Sequence, residues 1–206
     1  MPINKTTSTV AAALIALLGS TVAQAASSVD LSNPAFAQVA GRTSVPIGHS
    51  EFCKAHRDEC GINAHVVDVM ELNEDRWAQL VSVNNQVNSA VVPITDQDFY
   101  NVAEFWTYPE GYGDCEDFAL AKRRELIADG WDASTLLIAV VRESNGSGHA
   151  VLMARTDRGD LVLDNQDGSV KVWLDTPYQF LKRQSQANAA EWVDIVDSRA
   201  MIVANK

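Results

Sequence analysis

The chain has 206 residues, 47% of them hydrophobic and 21% charged, with a formal net charge of −11. That balance belongs to a soluble globular protein with enough apolar residues for one core. The excess of carboxylates argues against a nucleic-acid partner, whose phosphates it repels, and is compatible with divalent cations.

The N-terminus reads as an export signal. Lys5 precedes the apolar run Val10–Leu18, and Ala23-Gln24-Ala25 is a small-x-small cleavage site. The run is too short to span a membrane comfortably, so residues 1–25 are expected to be a signal peptide and the protein periplasmic or secreted. Residues 26–47 are rich in Ser, Asn, Ala and Pro and read as a lead-in linker. The expected domain runs over 48–206.

Three cysteines follow, unequally placed. Cys53 and Cys60 lie seven positions apart, and in an oxidising compartment such a pair closes a small disulfide loop. A zinc site using these two with His49, His56 or His65 has no recognisable ligand spacing. Cys115 is left over, and an odd cysteine in an exported protein is an inert buried thiol, an intermolecular link or a reactive group.

From Val67 to Val92 the apolar residues Met70, Trp77, Leu80, Val81, Val87 and Val91 keep a helical face, as one helix or two, with Asn73 a candidate start. Pro93 breaks this element. Asp96–Tyr100 and Glu104-Phe105-Trp106 lead into Tyr108-Pro109-Glu110-Gly111-Tyr112-Gly113, a loop too rich in Pro and Gly for helix. Trp106 reads as cover for the core beside that loop.

A helix is expected from Cys115 to the Gly130 stop. Asp114 suits its N-cap, and Asp117 stands three positions on, as in a capping box. A cysteine in the first turn meets the positive end of the helix dipole, which favours the thiolate.

Beyond the helix the period changes. Thr135–Val141 reads as a buried strand. Ser144-Asn145-Gly146-Ser147-Gly148 is a hairpin turn and His149–Arg155 the returning strand. Asp160–Asp164 is a third strand and Val170–Leu174 a fourth, with Trp192–Val196 and Ala200–Val203 as further candidates. Helices followed by an antiparallel meander make an α+β fold, with N-terminal helices packed on an antiparallel sheet.

Cysteine catalysis needs a thiolate, a base and a group that orients the base. Of the four histidines, only His149 follows the cysteine helix, at a strand mouth where substrate can reach it. Asp164 ends the next apolar strand. In a plain hairpin register it lies near His149 and can hold the imidazole N–H. Cys115, His149 and Asp164 are therefore the candidate catalytic set.

Gly113-Asp114-Cys115-Glu116-Asp117, Gly148-His149-Ala150-Val151-Leu152 and Leu163-Asp164-Asn165, in this order, resemble the motifs of the bacterial transglutaminase-like cysteine proteinases. The resemblance covers most of the chain from Gly48 onward. It implies a papain/transglutaminase-like fold, Cys115 as nucleophile, His149 as general base then acid, and Asp164 as orienter. It also implies calcium at Asp114, Glu116 and Asp117, a protein substrate such as a large surface adhesin, and an inner-membrane regulatory receptor as partner. The residues alone read Asp114 as a helix cap, with Glu116 and Asp117 favouring the positive helix end. Two other functions use the same residues: acyl transfer to an amine, as in a transglutaminase, and peptide binding without catalysis. A thiol redox protein lacks its C-x-x-C pair.

Overall fold

Seven strands form one antiparallel sheet in the computed structural model, which describes residues 35–197, with Met1 and Arg199. The expected signal peptide, residues 1–25, lies outside the described residues apart from Met1. The strands are β1 (Gln38–Thr43), β4 (Leu136–Arg142), β5 (Gly148–Thr156), β6 (Gly159–Leu163), β7 (Lys171–Val172), β8 (Gln179–Gln184) and β9 (Trp192–Val196). Two further short strands, β2 (Val92–Pro93) and β3 (Tyr112–Gly113), pair in parallel beside it. The helices are α1 (Ile47–Ala55), α2 (Glu74–Ala90), α3 (Asp96–Phe99) and α4 (Cys115–Ala128).

The sheet order is β1-β9-β8-β4-β5-β6-β7. The expected meander is thus one half of the sheet, β4 to β7, and the chain then returns to add β8 and β9 on the far side of β4. β4 becomes a central strand, which suits its apolar, β-branched run; Leu136, Ile138, Ala139 and Val141 are fully buried. Helix α4 lies on β5 and β4, and α2 packs on α4. Leu80, Val83 and Val87, spaced as one helical face, carry that second contact into the core with Leu126 and Leu152.

The ends of α2 and α4 follow their sequence signals. The Asn73 side chain accepts the Arg76 N–H at 2.9 Å and starts α2. Gly130, at φ +90°, lets its own N–H reach Ile127 O and the Trp131 N–H reach Leu126 O, closing α4.

Several expectations change. The segment 26–47 is not all linker: residues 38–43 pair with β9, and α1 already begins at Ile47. No helix covers 67–73, because the Met70 N–H is drawn to Arg155 O at 3.0 Å, beside the sheet. The expected strand 170–174 shortens to β7, since Trp173–Asp175 closes a 3-10 turn capped by the Thr176 hydroxyl on Trp173 O. Ala200–Val203 lies outside the described residues. No helix among the described residues is long and apolar enough to cross a membrane.

Candidate active site

Cys115 occupies the first position of α4. Asp114 precedes it in an extended conformation, and the first intrahelical bond runs from the Phe118 N–H to Asp114 O. Because α4 lies on β5, the sulfur meets that strand at its start, where the Ala150 N–H donates to Cys115 Sγ at 3.3 Å. Cys115 and His149 line the same cleft, about 450 Å3 in volume, walled by Trp106, Glu104, Ile47 and Lys182.

His149 and Asp164 meet as the register predicts. β5 and β6 pair with Leu152 opposite Leu163, which sets Asp164 beside Val151, on the sheet face shared with His149 two residues back. His149 Nε2 lies 2.9 Å from Asp164 Oδ1. Burial pushes the Asp164 carboxyl up, but hydrogen bonds from His149, Tyr178 and the Gln166 N–H outweigh it and hold it below the usual range. An ionised carboxylate only accepts, so Nε2 carries a proton and donates it to Asp164 Oδ1. His149 is not open at a strand mouth as expected; it is 5% exposed and reached through the cleft.

The loop before Cys115 is fastened from below. Cys53 and Cys60 are bonded as a disulfide. The loop they close carries Glu59, which accepts the Tyr108 hydroxyl, and the Arg124 guanidinium stacks 3.9 Å over the Tyr108 ring. His49 approaches Cys53 Sγ at 3.6 Å, but its Nδ1 accepts the Trp192 Nε1–H at 3.1 Å and its Nε2 lies against the Gln184 side-chain amide. Trp106 is buried, as expected, with its Nε1–H on Glu104 Oε2 at 3.1 Å.

The carboxylates around Cys115 are crowded. The Asp114 side chain makes no cap bond to α4. Its Oδ2 lies 3.4 Å from the Asp96 N–H, and its Oδ1 is buried with no partner. Asp96, Asp114 and Glu116 each offer an oxygen within 4.8 Å of one another. Of the three residues expected to hold a cation, Asp114 and Glu116 are in this cluster. Asp117 accepts the Thr107 N–H at 2.8 Å through Oδ1, while its buried Oδ2 has no partner and presses on Gly113 where a Cβ would stand. Asp96 takes the third place. The cluster gathers three carboxylates, and two buried oxygens there, Asp114 Oδ1 and Asp117 Oδ2, lack donors, so the residues fit a hard cation such as calcium.

Crowding also reverses the expected effect of the helix dipole. Burial pushes the Cys115 thiol well up, and the Glu116 and Asp114 carboxylates push it further, against the Ala150 N–H. The thiol donates to Glu116 Oε2 at 3.1 Å and makes no hydrogen bond to His149. Burial, then Asp114, raises Glu116 to about 9. Burial raises Asp96 to about 6 and Asp117 to about 7, with neighbouring carboxylates adding to both.

Asp96 and Tyr178 escaped sequence reasoning. Asp96 stands 18 residues before Asp114, and its one local signal was the Thr95 cap of α3. Tyr178 sits in a segment whose place depends on where β8 pairs.

A cysteine at a helix start and a hydrogen-bonded His–Asp pair on adjacent strands thus meet at one cleft, with α4 laid on an antiparallel sheet. Residues 39–200 match the family model of the bacterial transglutaminase-like cysteine proteinases (BTLCP), and the chain belongs to that family. No curated protein sequence matches the chain. Among solved structures, calcium-bound LapG of Legionella pneumophila is similar at 23% identity, over 63% of this chain and 80% of that one, with a TM-score of 0.50. A second LapG structure is similar at 24% identity, over 61% and 71% of the two chains, with a TM-score of 0.49.

Proposed function

We propose that this protein is an exported, calcium-dependent peptidase acting through Cys115, His149 and Asp164. The observation that carries the reading is the 2.9 Å His149–Asp164 bond on the wall of the cleft that holds Cys115. The Cys115 thiol passes its proton to His149 Nδ1, and the sulfur attacks the carbonyl carbon of the scissile peptide. His149 returns the proton to the leaving amine, then takes one from water as that water opens the thioester. Asp164 holds the imidazole in the required tautomer throughout. The first-turn N–H groups of α4 have no intrahelical partner, and that of Cys115 suits the developing oxyanion.

Asp96, Asp114 and Glu116 would hold the calcium ion, with Asp117 beside them. The ion supplies positive charge where buried carboxylates now repel one another. As a ligand, Glu116 would be drawn from the Cys115 thiol, whose hydrogen it accepts here.

The Cys53–Cys60 disulfide supports an oxidising location, and so export to the periplasm or beyond. The substrate we propose is a large surface adhesin, with an inner-membrane receptor as regulator. Comparing the proteins shed by cells carrying wild type or Cys115→Ala tests this. One adhesin fragment lost in the variant, and restored by added wild-type protein, is the expected result. Unchanged cleavage by purified Cys115→Ala would place the nucleophile elsewhere.

A further inference from the structure

Asp164 is held on more sides than its bond to His149 requires. The Tyr178 hydroxyl donates to Asp164 Oδ2 at 2.5 Å. The Gln166 N–H donates to Oδ1 at 3.0 Å, and from α2 the Asn88 amide donates to the Asp164 backbone carbonyl at 2.7 Å. The Tyr178 ring also stands over the imidazole, centroid to centroid 5.3 Å at 55°.

Topology explains how a residue just before β8 reaches this pair. β8 lies on the opposite side of β4 from β5, with Phe180 opposite Val141 and Val141 opposite His149. Tyr178 therefore falls beyond the end of β4, where the hairpin turn leaves the way open to His149 and Asp164. The turn carrying it is stiff, since both the hydroxyl and the N–H of Thr176 bond to Trp173 O.

A carboxylate turns easily about its last torsion unless both oxygens are engaged. Here a second cavity, about 200 Å3, opens behind the pair and is lined by Asp164, Tyr178, Gln166 and Lys171. Water from that side competes for Oδ2 unless the Tyr178 hydroxyl occupies it. We infer that Tyr178 is a positioning residue of the catalytic set: it locks the Asp164 carboxylate, and through it the His149 ring, so that Nδ1 faces Cys115. This rests on the peptidase reading above.

The test follows Cys115 alkylation by iodoacetamide in calcium-loaded protein, for wild type, Tyr178→Phe, Asp164→Ala, their double variant and His149→Ala. Tyr178→Phe is expected to slow alkylation about tenfold, as fits loss of one hydrogen bond to a charged group. It should also move the low-field proton resonance of His149 Nε2. In the Asp164→Ala background the same change should do nothing more, because Tyr178 acts through Asp164. A wild-type rate and resonance for Tyr178→Phe, or effects that simply add, would overturn the inference. Should Asp164→Ala and His149→Ala alkylate like wild type, the peptidase reading itself fails; if only Tyr178→Phe does, this inference alone fails. If Tyr178→Phe does not fold, 3-fluorotyrosine at position 178 keeps the ring and strengthens the donor. The His149 resonance should then shift, and an unmoved resonance would overturn the inference.

Discussion

Cys115 and Glu116, adjacent in sequence, form a thiol–carboxylate hydrogen bond: Sγ donates to Oε2 at 3.1 Å, and His149 receives nothing from the sulfur. A thiol held this way, buried among acidic side chains that raise its pKa, is a poor nucleophile. Cys115 is the one free cysteine, so alkylation reports on it alone. Iodoacetamide labelling is expected to be slow in chelator and to speed up by roughly tenfold or more when calcium is added. Equal rates in the two conditions would separate the carboxylate cluster from nucleophile activation.

Asp96 is the carboxylate that the cluster adds to Asp114 and Glu116. Calcium at about 100 times its dissociation constant is worth about 2.7 kcal/mol, which in a domain of this size raises Tm by roughly 5–10 °C. Asp96→Asn should lose most of that rise. Without calcium it should melt no lower than wild type, because it removes one charge from a crowded set. Thermal melts with and without chelator check both expectations.

His49 is buried beneath the cleft and kept neutral. Burial, and after it the nearby Arg123, lowers its imidazole from 6.5 to about 4. The unfolded chain therefore binds the proton more readily than the folded one. The stabilisation is full above pH 6.5 and drains away as pH falls toward 4, by about 3 kcal/mol in all. Carboxylates titrate in the same range, so the comparison is urea unfolding of wild type against His49→Gln at pH 7.5, 5.5 and 4.5. Their difference in stability should change steadily in favour of the variant as pH falls; a constant difference would count against a neutral buried His49.

Gly48 touches the Trp106 indole so closely that a Cβ there would stand 2.2 Å from its Cδ1. Both are buried, and Trp106 also walls the cleft. Gly48→Ala should cost about 1–3 kcal/mol by overpacking and displace Trp106 into the cleft. Denaturation should reveal the first effect. A rise in KM larger than the fall in kcat should reveal the second.

Much of this protein is set by local pattern. Cys115 at a helix start, His149 after a hairpin turn and Asp164 at a strand end are ordered by signals within a few residues of each. Period-two alternation then fixed the faces on which His149 and Asp164 meet, once β5 and β6 paired as neighbours. The Cys53–Cys60 bond was legible for the same reason, as a short loop between cysteines seven positions apart.

What needed the tertiary structure are contacts made across long stretches of chain. β8 and β9 cross to the far side of β4, which carries Tyr178 to Asp164; no local period reports which strand a later segment will pair with. Asp96 reaches Asp114 because β2 and β3 pair in parallel and fold their flanking loops together. The state of the Cys115 thiol is a third case. The helix start favours a thiolate, but burial and the acidic neighbours favour the thiol, and the latter prevail because charge is costly where water is excluded. The three motifs thus determined which groups gather at the cleft, while packing decided which partners hold them.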